Sequence, residues 1–499
     1  MAIQFPDSWL DAEEADWPEF SAARYGAAMS EISRAVRAYL ATEHDRAIVA
    51  HTPEEMLTAL GRVARAGSPE AVLRDYVGLH LATAPRLTAR GYVGRQFSSV
   101  LPAAAALDAL TAMAPQPASF FEVGPLPNAA DKLIQREFQA LLGWPEEAGR
   151  MITTTGGSLA NLTALLAARN TRVGGSWKAG LAASGRRSAV ALGADAHYSL
   201  DRAIGVLGLG TDQIVRLPLD ARRRICPEGA RRALDRARAE GLEVFCLVAS
   251  AGSTSTGAID PLADLAQLCA ERGIWCHVDG AHAGAFLVSD RLRPRLAGIE
   301  RVDSFCIDAH KTLFVPASCT LLFYRDRQAA GAAFAQKAAY VFSDPGGEID
   351  VFESGGVNFE CTKRPAILNL WLAWAMYGRG LFERKLDHLV QMTVLAAAML
   401  RSQPDFTVHN DPDANILCFS HCPPGLPQAG RGAFQTELHA ALLRDGRFFL
   451  SKTVLDGEPV LRLVVMNHAL TRADLAALID GIRRIAAQQI SPPPLSLAI

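Results

Sequence analysis

Ser304-Phe305-Cys306-Ile307-Asp308-Ala309-His310-Lys311-Thr312-Leu313-Phe314 is a short apolar run that breaks off in a His-Lys pair. The run reads as a buried strand with Lys311 just beyond its end. A lysine so placed is a candidate Schiff-base lysine, because burial favours the neutral amine, the form that attacks an aldehyde. A solvated lysine closing a strand is the alternative, and the neighbouring segments weigh between the two.

Upstream, Gly273-Ile274-Trp275-Cys276-His277-Val278-Asp279-Gly280-Ala281-His282 is a second apolar strand, ending in an acid followed by small residues. An acid at a strand's carboxyl end can pair with a protonated pyridine nitrogen and keep the ring an electron sink; it can also cap the next helix or turn. Met151 to Thr155 runs into Gly156-Gly157-Ser158 and then a helical stretch, Leu159 to Arg169. Glycines let a backbone approach a phosphate that the helix N-terminus then binds, without the spacing of a Walker loop or a dinucleotide fingerprint. Ser188 to Gly193 runs into Asp195-Ala196-His197-Tyr198-Ser199, and Glu243 to Ala249 into Ser250-Ala251-Gly252-Ser253-Thr254. His197 can stack on a ring and Thr254 can hydrogen-bond beside it. Consecutive strands with polar endings and helices between them predict a mainly parallel sheet covered on both faces, with pyridoxal 5'-phosphate (PLP) at its carboxyl edge.

On these motifs the chain resembles the group II PLP-dependent amino-acid decarboxylases, the family of the aromatic amino-acid, glutamate, cysteine-sulfinate and diaminobutyrate enzymes. The similarity rests on Thr155-Gly156-Gly157-Ser158 with Asn161, Asp195 to Ser199, Ala251 to Thr254 with Asp260-Pro261-Leu262, His277 to Ala281, and His310-Lys311. It implies an α/β, fold-type I transferase-like architecture. It also implies that Lys311 carries the cofactor, Asp279 meets the pyridine nitrogen, His197 stacks on the ring and Ala281 packs behind it. Gly157 and Ser158 match phosphate contacts, with His310 near the same end and Thr254 lining the site. Arg462 matches the arginine that binds the substrate α-carboxylate; read without the family, it is a salt-bridged strand arginine. Tyr340 matches a tyrosine on a loop that reaches the partner subunit's site and protonates Cα after CO2 leaves, which makes a homodimer the expected unit. Gln96 and Ser98 resemble polar substrate-facing positions, a lean toward a small polar or acidic amino acid, whereas Phe120 and Phe121 would suit an apolar pocket.

The chain also departs from the family. Many relatives have Asn-Pro where this sequence has Asp308-Ala309, an aromatic residue where it has His282, and His-Pro-x-Phe where it has Arg90-Gly91-Tyr92-Val93-Gly94. The expected activity is decarboxylation of an L-amino acid. An aldehyde synthase, aldolase or lyase on the same fold, or a non-catalytic PLP-binding homologue, are the rivals.

Composition agrees. The 499 residues are 49% hydrophobic, enough for one large core with satellites, and a net charge of -2 invites no nucleic acid. Arg222-Arg223-Arg224 and Arg231 to Arg238 read as the solvated face of one polar helix. Nine cysteines, mostly within apolar strands, indicate reduced thiols of a cytoplasmic protein, and Cys418 to Cys422 lacks the second pair that a metal site needs. Met1 to Trp17 has no signal-peptide pattern, and no apolar run is long enough to span a membrane. The expected organisation is a helical dimerisation segment (1–89), a large PLP-binding domain (90–385) and a small α+β domain (386–499). Pro53 and Pro69 mark helix starts, and Trp371, Trp374 and Met376 are assigned to the core.

Overall fold

The computed structural model describes residues 21–334 and 352–490; Met1 to Trp17 and Tyr340 lie outside them. Seven strands form the large sheet: β1 (Arg150–Thr154), β2 (Arg187–Gly193), β3 (Ile214–Leu217), β4 (Leu242–Ser250), β5 (Trp275–Asp279), β6 (Ser304–Asp308) and β7 (Thr320–Tyr324). Their order is β1-β7-β6-β5-β4-β2-β3. Neighbours from β6 to β3 are parallel, and β7 runs antiparallel to both β6 and β1. The parallel strands are joined through helices such as Tyr198–Val206, Pro227–Ala239 and Leu262–Arg272, as parallel pairing requires.

Each central strand divides its side chains between two apolar layers. Cys276, Val278, Phe305, Ile307, Leu321 and Phe323 enter one core, which continues through the helix Ile367–Arg401 to the small sheet. Trp275, Cys306, Leu322 and Tyr324 enter the other, beneath the helix Gly157–Arg172. On that second face the alternate positions also carry His277, Asp279, Ser304, Asp308 and Thr320, all buried. Period two therefore gathers the polar groups of β5, β6 and β7 on one side of the sheet.

The small sheet is antiparallel, in the order β10-β11-β9-β8: β8 (Phe406–Val408), β9 (Ile416–His421), β10 (Ser451–Leu455) and β11 (Glu458–Val464). The segment after Ala89 docks on it. Val93 N–H donates to the Phe449 carbonyl (3.1 Å) and Val464 N–H to the Val93 carbonyl (2.7 Å), which brings Arg95 and Gln96 toward β11.

Helices start at Pro53 and Pro69, capped by Thr52 and Ser68. Two sequence readings change. Arg222, Arg223 and Arg224 precede the helix Pro227–Ala239 and pair with Asp413, Asp195, Asp456 and Asp220, because the turn around them faces those acids. Trp371 and Met376 are 38% and 52% exposed, whereas Trp374 stacks on Phe382: the helix is apolar on more sides than this chain covers. No helix among the described residues is long and apolar enough to cross a membrane.

Candidate active site

The carboxyl ends of β4, β5 and β6 open into a cavity of about 390 Å³, within the range of small-molecule sites. Of the residues singled out from sequence, Gln96, Gly157, Ser158, His197, Thr254, Asp279, Ala281, His310 and Lys311 line it. Ser98 and Arg462 are buried but are not among its lining residues; Tyr340 lies outside the described residues.

At one end, Gly156 has φ 117° and ψ 156°, a conformation essentially restricted to glycine, and it turns the chain into the helix Gly157–Arg172 without a side-chain cap. A Cβ on Gly157 would lie 3.0 Å from the Asp308 carboxylate, so the backbone passes close against β6. The result is a helix N-terminus whose amides face the cavity rather than a capping side chain, the arrangement that binds phosphate.

Below it, a directional chain of hydrogen bonds ends on Asp279. Asn161 Nδ2 donates to Asp279 Oδ2 (3.0 Å), and Ala281 N–H donates to Oδ1 (3.2 Å). Asn161 Oδ1 therefore faces His277 Nε2 (3.0 Å), which must carry the proton. Burial lowers His277 to about 4, so its Nδ1 accepts from Ser304 Oγ (2.8 Å), which accepts in turn from Trp275 Nε1 (2.9 Å). Every donor points toward the carboxylate. His197 is fixed beside this chain by Ser199, whose backbone N–H donates to Nδ1 (3.3 Å); burial lowers its basicity and leaves Nε2 as the protonated nitrogen.

Asn161→Ala is expected to destabilise the fold by about 1–3 kcal/mol, since it orphans the buried His277 N–H and removes a donor from Asp279. Chemical denaturation measures this, and an unchanged midpoint would show that the chain contributes nothing to stability.

Lys311 behaves differently from the sequence expectation. It sits in the short helix Ala309–Thr312, with Nζ 2.8 Å from Asp308 Oδ2. Burial alone would favour the neutral amine, but Asp308, with Asp279 behind it, outweighs burial and raises Lys311 above its ordinary value. In the cofactor-free protein this ion pair favours the ammonium form. In sequence, Asp308 stands out only as a departure from Asn-Pro; the distance to Lys311 shows it as a charge.

Among the lining residues, Gln96 Nε2 and the His282 ring nitrogens are buried with no hydrogen-bond partner at normal distance, and beyond the lining so are Ser98 Oγ and Arg462 Nε and Nη2. Arg462 donates from Nη1 to Ser451 Oγ (3.0 Å), and burial, with Arg95 nearby, lowers it to about 10. Burial, together with Lys311 and Arg462, lowers His282 to about 3, which leaves its ring neutral. Phe120 and Phe121 are not among the cavity's lining residues.

A phosphorylated pyridine aldehyde asks for an amine, a carboxylate and an anion-binding backbone turn within one small cavity, and these residues meet all three requirements. The fold and site thus define a PLP-dependent enzyme. Residues 97–422 match the pyridoxal-dependent decarboxylase conserved domain, and the chain belongs to that family, the PLP-dependent carboxy-lyases acting on amino acids. It is 29% identical over 352 residues to the aromatic-L-amino-acid decarboxylase of Bacillus atrophaeus, covering 70% of this chain and 71% of the relative. It is likewise 29% identical over 379 residues to human cysteine sulfinic acid decarboxylase, covering 73% and 76%. The fold matches the crystal structure of mouse CSAD in apo form with a TM-score of 0.86 at 24% identity, covering 93% of this chain and 99% of that one.

Proposed function

We propose that the chain decarboxylates a small polar or acidic L-amino acid. The observation that carries this reading is the polar wall of the cavity, where Gln96 Nε2 is buried without a protein partner beside His282 and Arg95; Ser98 Oγ is buried and unpartnered just beyond that lining. Unpaired buried donors are costly, and a ligand that satisfies them recovers that cost. Carboxylate and amide groups fit donors of this kind; an aromatic side chain does not.

In this reading Lys311 holds the cofactor and Asp279 its pyridine nitrogen, while His197 and Ala281 enclose the ring. The Gly157 amide and Ser158 bind the phosphate, with His310 alongside and Thr254 lining the cavity. When bound, PLP supplies the electron sink for the pair left behind as CO2 departs. Arg462 binds the α-carboxylate and Gln96 and Ser98 the side chain, which orients the bond that breaks. Tyr340, from a second copy, returns a proton to Cα.

A homodimer is part of the proposal. The helices Ala22–Ala41, Pro53–Val63 and Pro69–Thr83 bury no residue on this chain and expose Tyr25, Leu40, Leu57, Leu60 and Tyr76. A second copy would cover such surfaces. The three-part division at 89 and 385 belongs to the same proposal; the helix Ile367–Arg401, broken locally at Gly378, crosses the second boundary. All nine cysteines are unpaired, which fits a reducing, cytoplasmic setting.

The test is a screen of PLP-loaded protein against the common amino acids, cysteine sulfinate, ornithine and diaminobutyrate, with CO2, amine, ammonia and peroxide quantified. Highest kcat/KM for an acidic or small polar substrate, with CO2 and amine in equal amounts, is the expected result. Preference for aromatic amino acids would overturn the substrate class. Aldehyde, ammonia and peroxide in place of amine would overturn the reaction.

A further inference from the structure

Asp308 ends β6, and its side chain is 3% exposed. Three contacts define its role. Oδ2 lies 2.8 Å from Lys311 Nζ; Oδ1 accepts from Thr320 Oγ1 at 2.6 Å; and its backbone N–H donates to the Ala281 carbonyl at 3.2 Å. Thr320 is its register partner across β6 and β7, so the carboxylate is held by the sheet itself rather than by a loop. An asparagine here would keep the backbone bond to Ala281 and could still accept from Thr320, but it could not neutralise an ammonium.

We propose that Asp308 is the fixed counter-ion of Lys311 and sets the protonation of the lysine nitrogen, a function that an amide at this position cannot perform. The inference rests on reading Lys311 as the cofactor lysine. A half-buried ammonium without an opposite charge at this distance would release its proton more readily. The other titratable groups facing Lys311 do not replace Asp308. Asp279 acts in the same sense from the end of β5, and the Cys306 thiol, raised well above its ordinary value by burial, stays neutral. His282 and His197 are neutral through burial, and His310, whose Nε2 is 3.7 Å from Asp308 Oδ2, is anchored through Nδ1 against the Cys319 backbone. The benefit concerns the incoming substrate amine, because a carbon doubly bonded to a protonated nitrogen is a better electrophile than one bonded to a neutral nitrogen. Asp308 would keep the Lys311 nitrogen in that state across neutral and mildly alkaline pH.

The experiment is competitive labelling with acetic anhydride over a pH series, on cofactor-free wild-type and Asp308→Asn protein, with acetylation of each lysine read by mass spectrometry. Exposed Lys452 serves as the reference within the same sample. In wild type, Lys311 is expected to titrate at or above Lys452; a midpoint well below it overturns the proposal without any variant. In Asp308→Asn, the Lys311 midpoint is expected to fall by about 1–3 pH units, the usual effect of losing an adjacent opposite charge. In PLP-loaded protein, the pH at which the visible absorption band changes should fall in the same direction. Thr320→Val keeps the charge while removing one hydrogen bond, and its Lys311 midpoint should stay near wild type. Equal Lys311 midpoints in cofactor-free wild type and Asp308→Asn, when separate samples of both load cofactor, overturn the proposal. Failure of the Lys311 assignment is separately visible, since borohydride would then fix the cofactor to a different peptide.

Discussion

Lys311→Ala protein is expected to fold, to release no CO2 above background and to hold no cofactor that borohydride can fix. Lys311 is the lysine among the cavity's lining residues, and Arg95 there cannot form an imine. Another buried lysine, Lys363, donates to the Thr153 carbonyl at 2.8 Å and is not part of that lining. The loss removes both the covalent tether and a positioned proton carrier, and the second alone is worth about 10²–10⁴ in rate. Mass spectrometry after reduction, together with CO2 release, measures the outcome; cofactor still fixed in the variant would refute the assignment. Mixing this variant with Tyr340→Phe subunits extends the test. If Tyr340 acts across the dimer, mixed dimers contain one site with both groups and recover some activity. Verified heterodimers with no recovery would place the proton donor within the same subunit or elsewhere.

Asp279→Asn is expected to keep the fold and the covalent cofactor while losing most turnover. Its two oxygens both accept, one from Asn161 and one from Ala281. An asparagine must turn its NH2 toward one of those donors, so one hydrogen bond is lost along with the charge. A charge-assisted bond contributes about 1.5–3 kcal/mol, equivalent to about 10–100-fold in rate when the interaction serves the transition state. Circular dichroism, borohydride trapping and kcat separate the three effects. Near-wild-type kcat would remove the electron-sink role of this carboxylate.

The sheet was legible because each strand carries its chemistry at a fixed place, apolar residues first and a polar group at the carboxyl end. Asp279 and Lys311 stand out on that pattern alone. The hydrogen-bond chain beneath Asp279 does not, because Asn161 and His277 are 116 residues apart and meet only through the packing of the helix Gly157–Arg172 on β5. A signal was present in the polar residues at alternate positions of otherwise apolar strands, His277 with Asp279 and Ser304 with Asp308. Arg462 has no local mark in sequence, since a strand arginine reads as salt-bridged; only the family resemblance singles it out. The protonation of Lys311 was misjudged because burial and a neighbouring charge act in opposite directions, and only a distance decides between them.

The one-way order of the bonds from Trp275 to Asp279 has an electrical meaning. Trp275 has only a donor and the Asp279 carboxylate only acceptors, so the intervening groups cannot reverse their polarity. Four bond dipoles then stand head to tail with the positive end on the carboxylate, as peptide dipoles do at the start of a helix. On this side the buried carboxylate is held by partial charges of neutral groups. A lysine or arginine in that place would satisfy the carboxylate fully and compete with whatever cation approaches from the cavity. Oriented neutral groups hold the carboxylate in place and leave its charge uncommitted.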